Sequence, residues 1–361
     1  MAKRKEFFDS YRGLGACVIC LYHYLNTFGL EGCAGSRVYD LLFDIKNIGY
    51  VMVEFFYFTS GYLIFELYRE KIQNNEIGLF SFMKKRISKI YPMFFWTTMI
   101  QIILEMISKK QVTLFDMVTN ILLLQCGIFE GNGSWRNDIN GVTWFIVPLL
   151  LCYLLFYLIT RKIKNNEYYY LTIVSIIVLS MSVYNWDRIN IPFINSYVVR
   201  GIMGFYMGII FCHLEGKIKK KNLRYIIIGI VVLVILYKEI QADTYGAFQL
   251  VTLIDLVAIP AILYITENIS GVKKVIENKI FVFLGKISME IYYIHWLIMT
   301  VLTWWIKEGN VNTKEYLGLL LITIGIAAVV KKQLINILRY TKLKVNKQYN
   351  KARQFFLCLA F

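Results

Sequence analysis

Runs of apolar residues about twenty long recur along the whole chain, and that recurrence limits the fold more than anything else in the sequence. A helix rises ~1.5 Å per residue, so about 20 apolar residues cross the ~30 Å hydrocarbon core of a bilayer with their backbone hydrogen bonds closed internally. Ten such spans are predicted, near residues 12–30, 47–67, 87–107, 142–160, 168–184, 197–214, 224–240, 246–266, 286–306 and 315–338. Only 18% of the residues are charged, against about 25% in ordinary globular chains. No sizeable soluble domain fits beside the apolar runs. The expected fold is therefore all-α, a polytopic membrane protein of about ten transmembrane helices over residues 1–345, with 346–361 as a basic cytoplasmic tail. The first apolar run has no small-residue cleavage site after it, so no removable signal peptide is expected.

The net charge of +16 would suit a nucleic-acid binder, but its distribution points elsewhere. Assigning alternate connections to opposite faces puts thirty of the 40 Lys and Arg residues on one side, in clusters such as Lys84-Lys85-Arg86 and Lys219-Lys220-Lys221. Such asymmetry is the positive-inside pattern of membrane proteins. It predicts both termini in the cytoplasm and residues 31–46, 129–141 and 307–314 outside. Basic charge here sets topology, and no nucleic-acid partner is expected. The chain has seven cysteines. Cys17-x-x-Cys20 lies in mid-span without a second pair, so the pair is read as apolar packing and no metal is predicted.

Ionisable residues inside apolar runs are costly and so mark candidate sites. Arg12 and His23 are eleven residues apart in the first span, which brings them within about 20° of one helical stripe and about 16 Å apart along the axis. That stripe is expected to face protein or a polar cavity. A purely structural alternative is a snorkelling Arg12 and one satisfied interior histidine. Glu54, Asp255, Glu290 and His295 are further ionisable groups in spans, and Thr59-Ser60-Gly61 offers a small-residue patch for close helix packing. Arg86 and Lys89 share a helix face one turn before Pro92, and the proline is expected to open space above them. Residues 112–128 read as a re-entrant or interfacial segment. The polar stretch after it, with Trp135 and Arg136 among Asn and Asp residues, has the side chains of either a sugar-binding surface or a plain solvated loop.

Several of these residues together resemble a known pattern, that of the bacterial integral-membrane acyltransferase family called acyltransferase type three, which O-acylates cell-surface polysaccharides and related glycans. Asp9-x-x-Arg12-Gly13, followed at ten residues by His23, is similar to its opening Arg/Lys-x10-His signature. Glu54 to Leu63 is similar to its Phe-Phe-x-x-Ser-Gly-Phe-Leu segment, and Arg86-x-x-Lys89-x-Tyr91-Pro92 to its basic motif ending in proline. Thr143-Trp144-Phe145 and Ser288 to His295 resemble its later tryptophan and Tyr-x-x-His segments. One departure stands out: many members carry a glutamate shortly after the tryptophan, where this chain has Val147-Pro148.

The resemblance implies a multi-pass protein of the plasma membrane that moves an acyl group, acetyl before others, from cytoplasmic acyl-CoA to a hydroxyl of a capsular, exopolysaccharide or lipid-linked glycan. On that reading Arg12, Arg86, Lys89 and Tyr91 bind the donor, with the three cations at the cytoplasmic boundary suited to phosphates. His23, Glu54 and Ser60 are the candidate chemical residues. His23 acts as general base or transient acyl carrier, and Glu54, Asp255 or Glu290 orients it or balances Arg12. Trp135, Arg136, Trp144 and His295 are the candidate acceptor-binding residues. The partners are the glycan acceptor, acyl-CoA and the bilayer, and homo-oligomer formation is left open. A secondary transporter, or a non-catalytic component of a polysaccharide-assembly complex, is the alternative. A transporter should show paired broken helices or internal symmetry, and the sequence shows neither.

Overall fold

The computed structural model describes residues 5–131, 134–186, 191–215, 251–309, 311–334 and 336, without the side chains of 130–135, 185 and 186. The expected seventh span, 224–240, and the tail 346–361 lie outside the described residues. Among the described residues the longer helices are α1 (Glu6–Phe28), α2 (Tyr39–Ile48), α3 (Met52–Gln73), α4 (Leu79–Ile107), α5 (Leu114–Ile121), α6 (Ile146–Lys162), α7 (Asn166–Trp186), α8 (Ser196–Glu215), α9 (Val251–Asn268), α10 (Ser270–Ile276), α11 (Lys279–Lys286), α12 (Ser288–Leu302) and α13 (Thr313–Leu334). A short antiparallel hairpin, β1 (Cys126–Gly131) and β2 (Ser134–Arg136), joins α5 to α6.

Among the described residues seven helices are long and apolar enough to cross a membrane, or up to eight if the bent pair α11–α12 is one span. The protein is a multi-pass, helical membrane protein. α1 has the length, at 23 residues, but Arg12, Tyr22 and His23 make it less apolar than its neighbours. The expected loop at 31–46 is partly helix, because α2 leads through one 3-10 turn into α3. Residues 112–128 do not span: α5 is eight residues long and the hairpin follows. The expected ninth span, 286–306, starts at a bend: α11 precedes it and meets α12 at 66° around Ile287.

The bundle has two unlike ends. At the basic end, Lys5 before α1 reaches Glu215 at the close of α8, 2.9 Å away. At the other end the Asn195 amide donates to the Gly127 carbonyl in β1 (3.2 Å), holding the hairpin on the start of α8. Small residues set the closest crossings. A side chain at Gly61 would overlap the backbone of Phe205, so the Thr59-Ser60-Gly61 patch is where α3 lies against α8. Gly13 and Gly285 make the matching approach of α1 to α11, since a Cβ on either would overlap the backbone of the opposite helix. The last helix is tied back to the first by Tyr24 with Thr323 (2.8 Å) and by the Tyr316 hydroxyl donating to the Gly29 carbonyl.

Candidate active site

The crossing at Gly13 and Gly285 lets Arg12 lie beside the break between α11 and α12. A cavity of about 190 Å³ opens there, lined among others by Arg12, Ser60, Arg86, Lys89, Ser288 and Tyr292. Four residues singled out from separate parts of the sequence (12, 60, 86 and 89) thus share one wall. Arg86 is held by Tyr68, whose hydroxyl accepts from its guanidinium and whose ring lies 4.5 Å below it. Its Nε is buried without a partner. Arg12 pairs loosely with Asp9, at 3.7 Å, and keeps 31% of its side chain exposed. Tyr91 is not brought to this cavity. Five residues beyond Arg86 it points about 140° away around the helix, and its hydroxyl donates to the Ile121 carbonyl (3.2 Å).

His23 lies toward the other end of α1. Its imidazole stacks on that of His295, with centroids 5.3 Å apart and planes 26° apart, and the Trp296 indole meets it edge-on at 5.1 Å. His295 is fully buried. Its Nδ1 lies 3.1 Å from the Ile291 carbonyl, which can only accept, so Nδ1 carries the proton and Nε2 a bare lone pair. That Nε2 has no partner. An unpaired buried acceptor costs roughly 1–3 kcal/mol, and its presence beside a second imidazole is the least economical feature of this region as mere packing. His295, expected at the acceptor, therefore belongs to the same pair as His23.

Between cavity and imidazoles stands an aromatic partition. Phe56, Phe145 and Tyr292 line the cavity. The Tyr292 ring sits 4.9 Å from Phe145, 5.9 Å from Phe56 and 5.9 Å from His295. Its hydroxyl donates to the Val142 carbonyl (2.9 Å), which fixes the ring. Tyr292 is the one side chain among these that touches both regions; in the sequence it stood only as the tyrosine of the Tyr-x-x-His segment, with no role of its own.

The carboxylates do other work than expected. Glu54 is fully buried and bonds Arg200 rather than the histidines. Arg200 also donates to the Tyr50 carbonyl (3.2 Å) and lies over the Trp144 ring (5.5 Å). The signal was present: a buried acid needs a cation, and Arg200 is the basic residue set within an outer span end. Asp255, in a π-helical turn of α9, is buried with both carboxylate oxygens unpartnered. Glu290 pairs with Lys331 of α13 at 2.8 Å, so it neither orients His23 nor balances Arg12.

The acceptor-side residues are largely used in building the loop over the histidines. Arg136 forks onto Asp138 (2.7 and 2.8 Å) and donates to the Gly141 carbonyl (2.6 Å). Burial raises the Asp138 carboxyl above the usual carboxylate range, and the bonds from Arg136 counter this only in part. Gly141 packs against Trp296, where any side chain would overlap the indole. Trp144 is buried, with the Arg136 and Arg200 guanidiniums 5.8 and 5.5 Å from its ring. The side chain of Trp135 lies outside the described residues. Val147 and Pro148, which stand where many family members have glutamate, are buried. Pro148 packs against Gly201 of α8. Among the described residues no group of three or more His, Cys, Asp and Glu could hold a metal ion.

An acyltransferase-domain family model, that of acyltransferase type three, matches residues 5–331, from Lys5 before α1 to Lys331 in α13. The chain belongs to that family. The match spans both the cationic cavity and the imidazole pair, so this acyltransferase carries them within its family domain. No curated protein and no solved structure matches the chain.

Proposed function

We propose that this acyltransferase takes an acyl group, acetyl before others, from acyl-CoA on the cytoplasmic side and gives it to a hydroxyl of a cell-surface or lipid-linked glycan. The observation that carries this reading is the layout along α1. Arg12 opens on a cavity shared with Arg86 and Lys89, His23 stacks on His295, and Tyr292, in the aromatic partition between the two regions, touches both. The basic end is the cytoplasmic one by the distribution of Lys and Arg, and the membrane is the plasma membrane.

The cations hold the donor's phosphates, and its slender arm runs up the cavity past Ser60 to Tyr292. A small movement of Tyr292 delivers the thioester to the imidazoles. The acceptor hydroxyl enters from the loop side and attacks the thioester carbonyl. A C–O bond forms and the C–S bond breaks; His23 takes the hydroxyl proton and passes it to the departing thiolate of CoA. His295, fixed by the Ile291 carbonyl, offers Nε2 as a second acceptor that steadies the charged state of the pair. A water-poor interior strengthens each of these interactions.

The test uses purified full-length protein in proteoliposomes with labelled acetyl-CoA and a lipid-linked glycan extract, together with O-acetyl NMR signals of glycans from cells with and without the gene. Label should pass to glycan and the O-acetyl signals should disappear with the gene. Solute uptake without consumption of acetyl-CoA would favour a transporter and overturn the proposal.

A further inference from the structure

A second cavity, about 650 Å³, lies beside the first and opens at the basic end. The two share Arg12, Lys89, Ser288 and Met289. The larger adds Lys286, Lys331 and Lys332, so five cationic side chains meet the single carboxylate of Asp9 on its walls. Lys331 is partly neutralised by Glu290 behind it, at 2.8 Å. Lys286 and Lys332 are exposed and have no ion-pair partner among the described residues. The N-terminal turn of α12 borders both spaces at Ser288, and the first amides of a helix have no partner within it.

Like charges gathered this closely repel unless an anion lies among them. We infer that the larger cavity, through Lys286, Lys331 and Lys332, is the subsite for the nucleotide end of the donor, and that its lysines read the 3′-phosphate of the adenosine. The inference rests on the donor reading above. The two spaces differ as the two ends of acyl-CoA differ. The smaller suits an extended arm and thioester; the larger suits a purine nucleoside with its phosphates. Arg12 and Lys89, shared by both, lie where the bridging diphosphate passes. A phosphate monoester carries about −1.5 to −2 charge at neutral pH, so a cluster of this sign discriminates strongly for it.

Affinity of the full-length protein for acetyl-CoA and for acetyl-dephospho-CoA, which lacks only the 3′-phosphate, tests this. Binding is measured by direct titration in vesicles of zwitterionic lipid. The wild-type protein should bind acetyl-CoA at least tenfold more tightly. Lys332→Ala and Lys286→Ala should each weaken acetyl-CoA about tenfold to a hundredfold, the worth of one charge-assisted contact. Neither should change the affinity for the dephospho form, which also reports that the variants are folded. Equal wild-type affinity for the two forms overturns the subsite, with no variant required, and leaves acyl transfer from acyl-CoA standing. Absence of binding by either form removes the donor reading and the subsite together. A lysine effect that occurs only in vesicles with anionic phospholipid assigns the cavity to a lipid phosphate and also overturns the proposal.

Discussion

The Glu54–Arg200 pair shows how differently a carboxylate reads in sequence and in place. Alone in a span, Glu54 looks chemical; bonded to Arg200 under the Trp144 ring it is a charge held neutral inside the bundle. Breaking one side of such a pair costs roughly 3–5 kcal/mol, whereas replacing both partners with apolar groups of similar size is often neutral. Glu54→Ala and Arg200→Ala should therefore each reduce thermal stability and membrane abundance sharply, and Glu54→Leu/Arg200→Met should lose much less than their sum. A double-mutant cycle on melting temperature in detergent checks this. Full stability of Glu54→Ala with activity lost would instead return Glu54 to the chemistry. The histidine pair was half legible: the Arg-x10-His spacing put Arg12 and His23 on one stripe. It could not show that His295, from a helix far along the chain, stacks on His23, because that contact depends on how α12 meets α1.

At the scale of elements, the site depends on glycines where helices touch. Gly13→Ala and Gly285→Ala each place a Cβ into opposing backbone, and overpacking of this kind costs about 1–3 kcal/mol. Both should widen the α1–α11 crossing, move Arg12 away from Lys89 and Ser288, and raise the KM for donor more than they lower kcat; a donor titration on the two variants measures it. The hairpin end has its own anchor. Thr113 caps α5 in a reciprocal box with Asp116. Burial works against the charge of Asp116, yet the Thr113 amide, the Asn137 amide and the Thr113 hydroxyl together hold its pKa below the ordinary value. A lowered native pKa means that this contribution is complete above about pH 4 and fades as pH falls through the native value. Amide exchange over residues 114–121, taken relative to the intrinsic rate at each pH, should be steady from neutral pH to about pH 4 and faster below it. Thr113→Ala should speed it at neutral pH by roughly fivefold, as loss of about 1 kcal/mol of capping implies. The start of a span near Ile287 was legible, but the short helix that meets it there at 66° was not. The Gly61 contact was, because small residues in a span have few other uses.

For the whole molecule, composition alone settled the class: helices of spanning length with little charge leave only a membrane as solvent. Placement of the motifs settled which residues share a cavity far less well. Arg12, Ser60, Arg86 and Lys89 were found because each sits near an end of its span or in a small-residue patch. Tyr91 turns to the Ile121 carbonyl instead, because adjacency in sequence is not adjacency on a helix. Lys286 and Lys331 were read only as topology signals, although they also line a cavity. The two-ended layout predicts that labelled cysteines at 31–46, 129–141 and 307–314 react from outside and those at both termini only after permeabilisation. Termini on opposite faces would break the layout. On the proposed reading one end of α1 binds donor while the other does chemistry, and a donor titration on Arg86→Ala and His23→Ala in proteoliposomes tests it most directly. Loss of ground-state binding raises KM and spares kcat, so Arg86→Ala should need about ten- to a hundredfold more acetyl-CoA and then recover. His23→Ala, at normal abundance, should remain roughly 10²–10⁴-fold slow at every concentration. An unchanged KM in Arg86→Ala with activity lost throughout, or near-normal turnover in His23→Ala, would contradict the account.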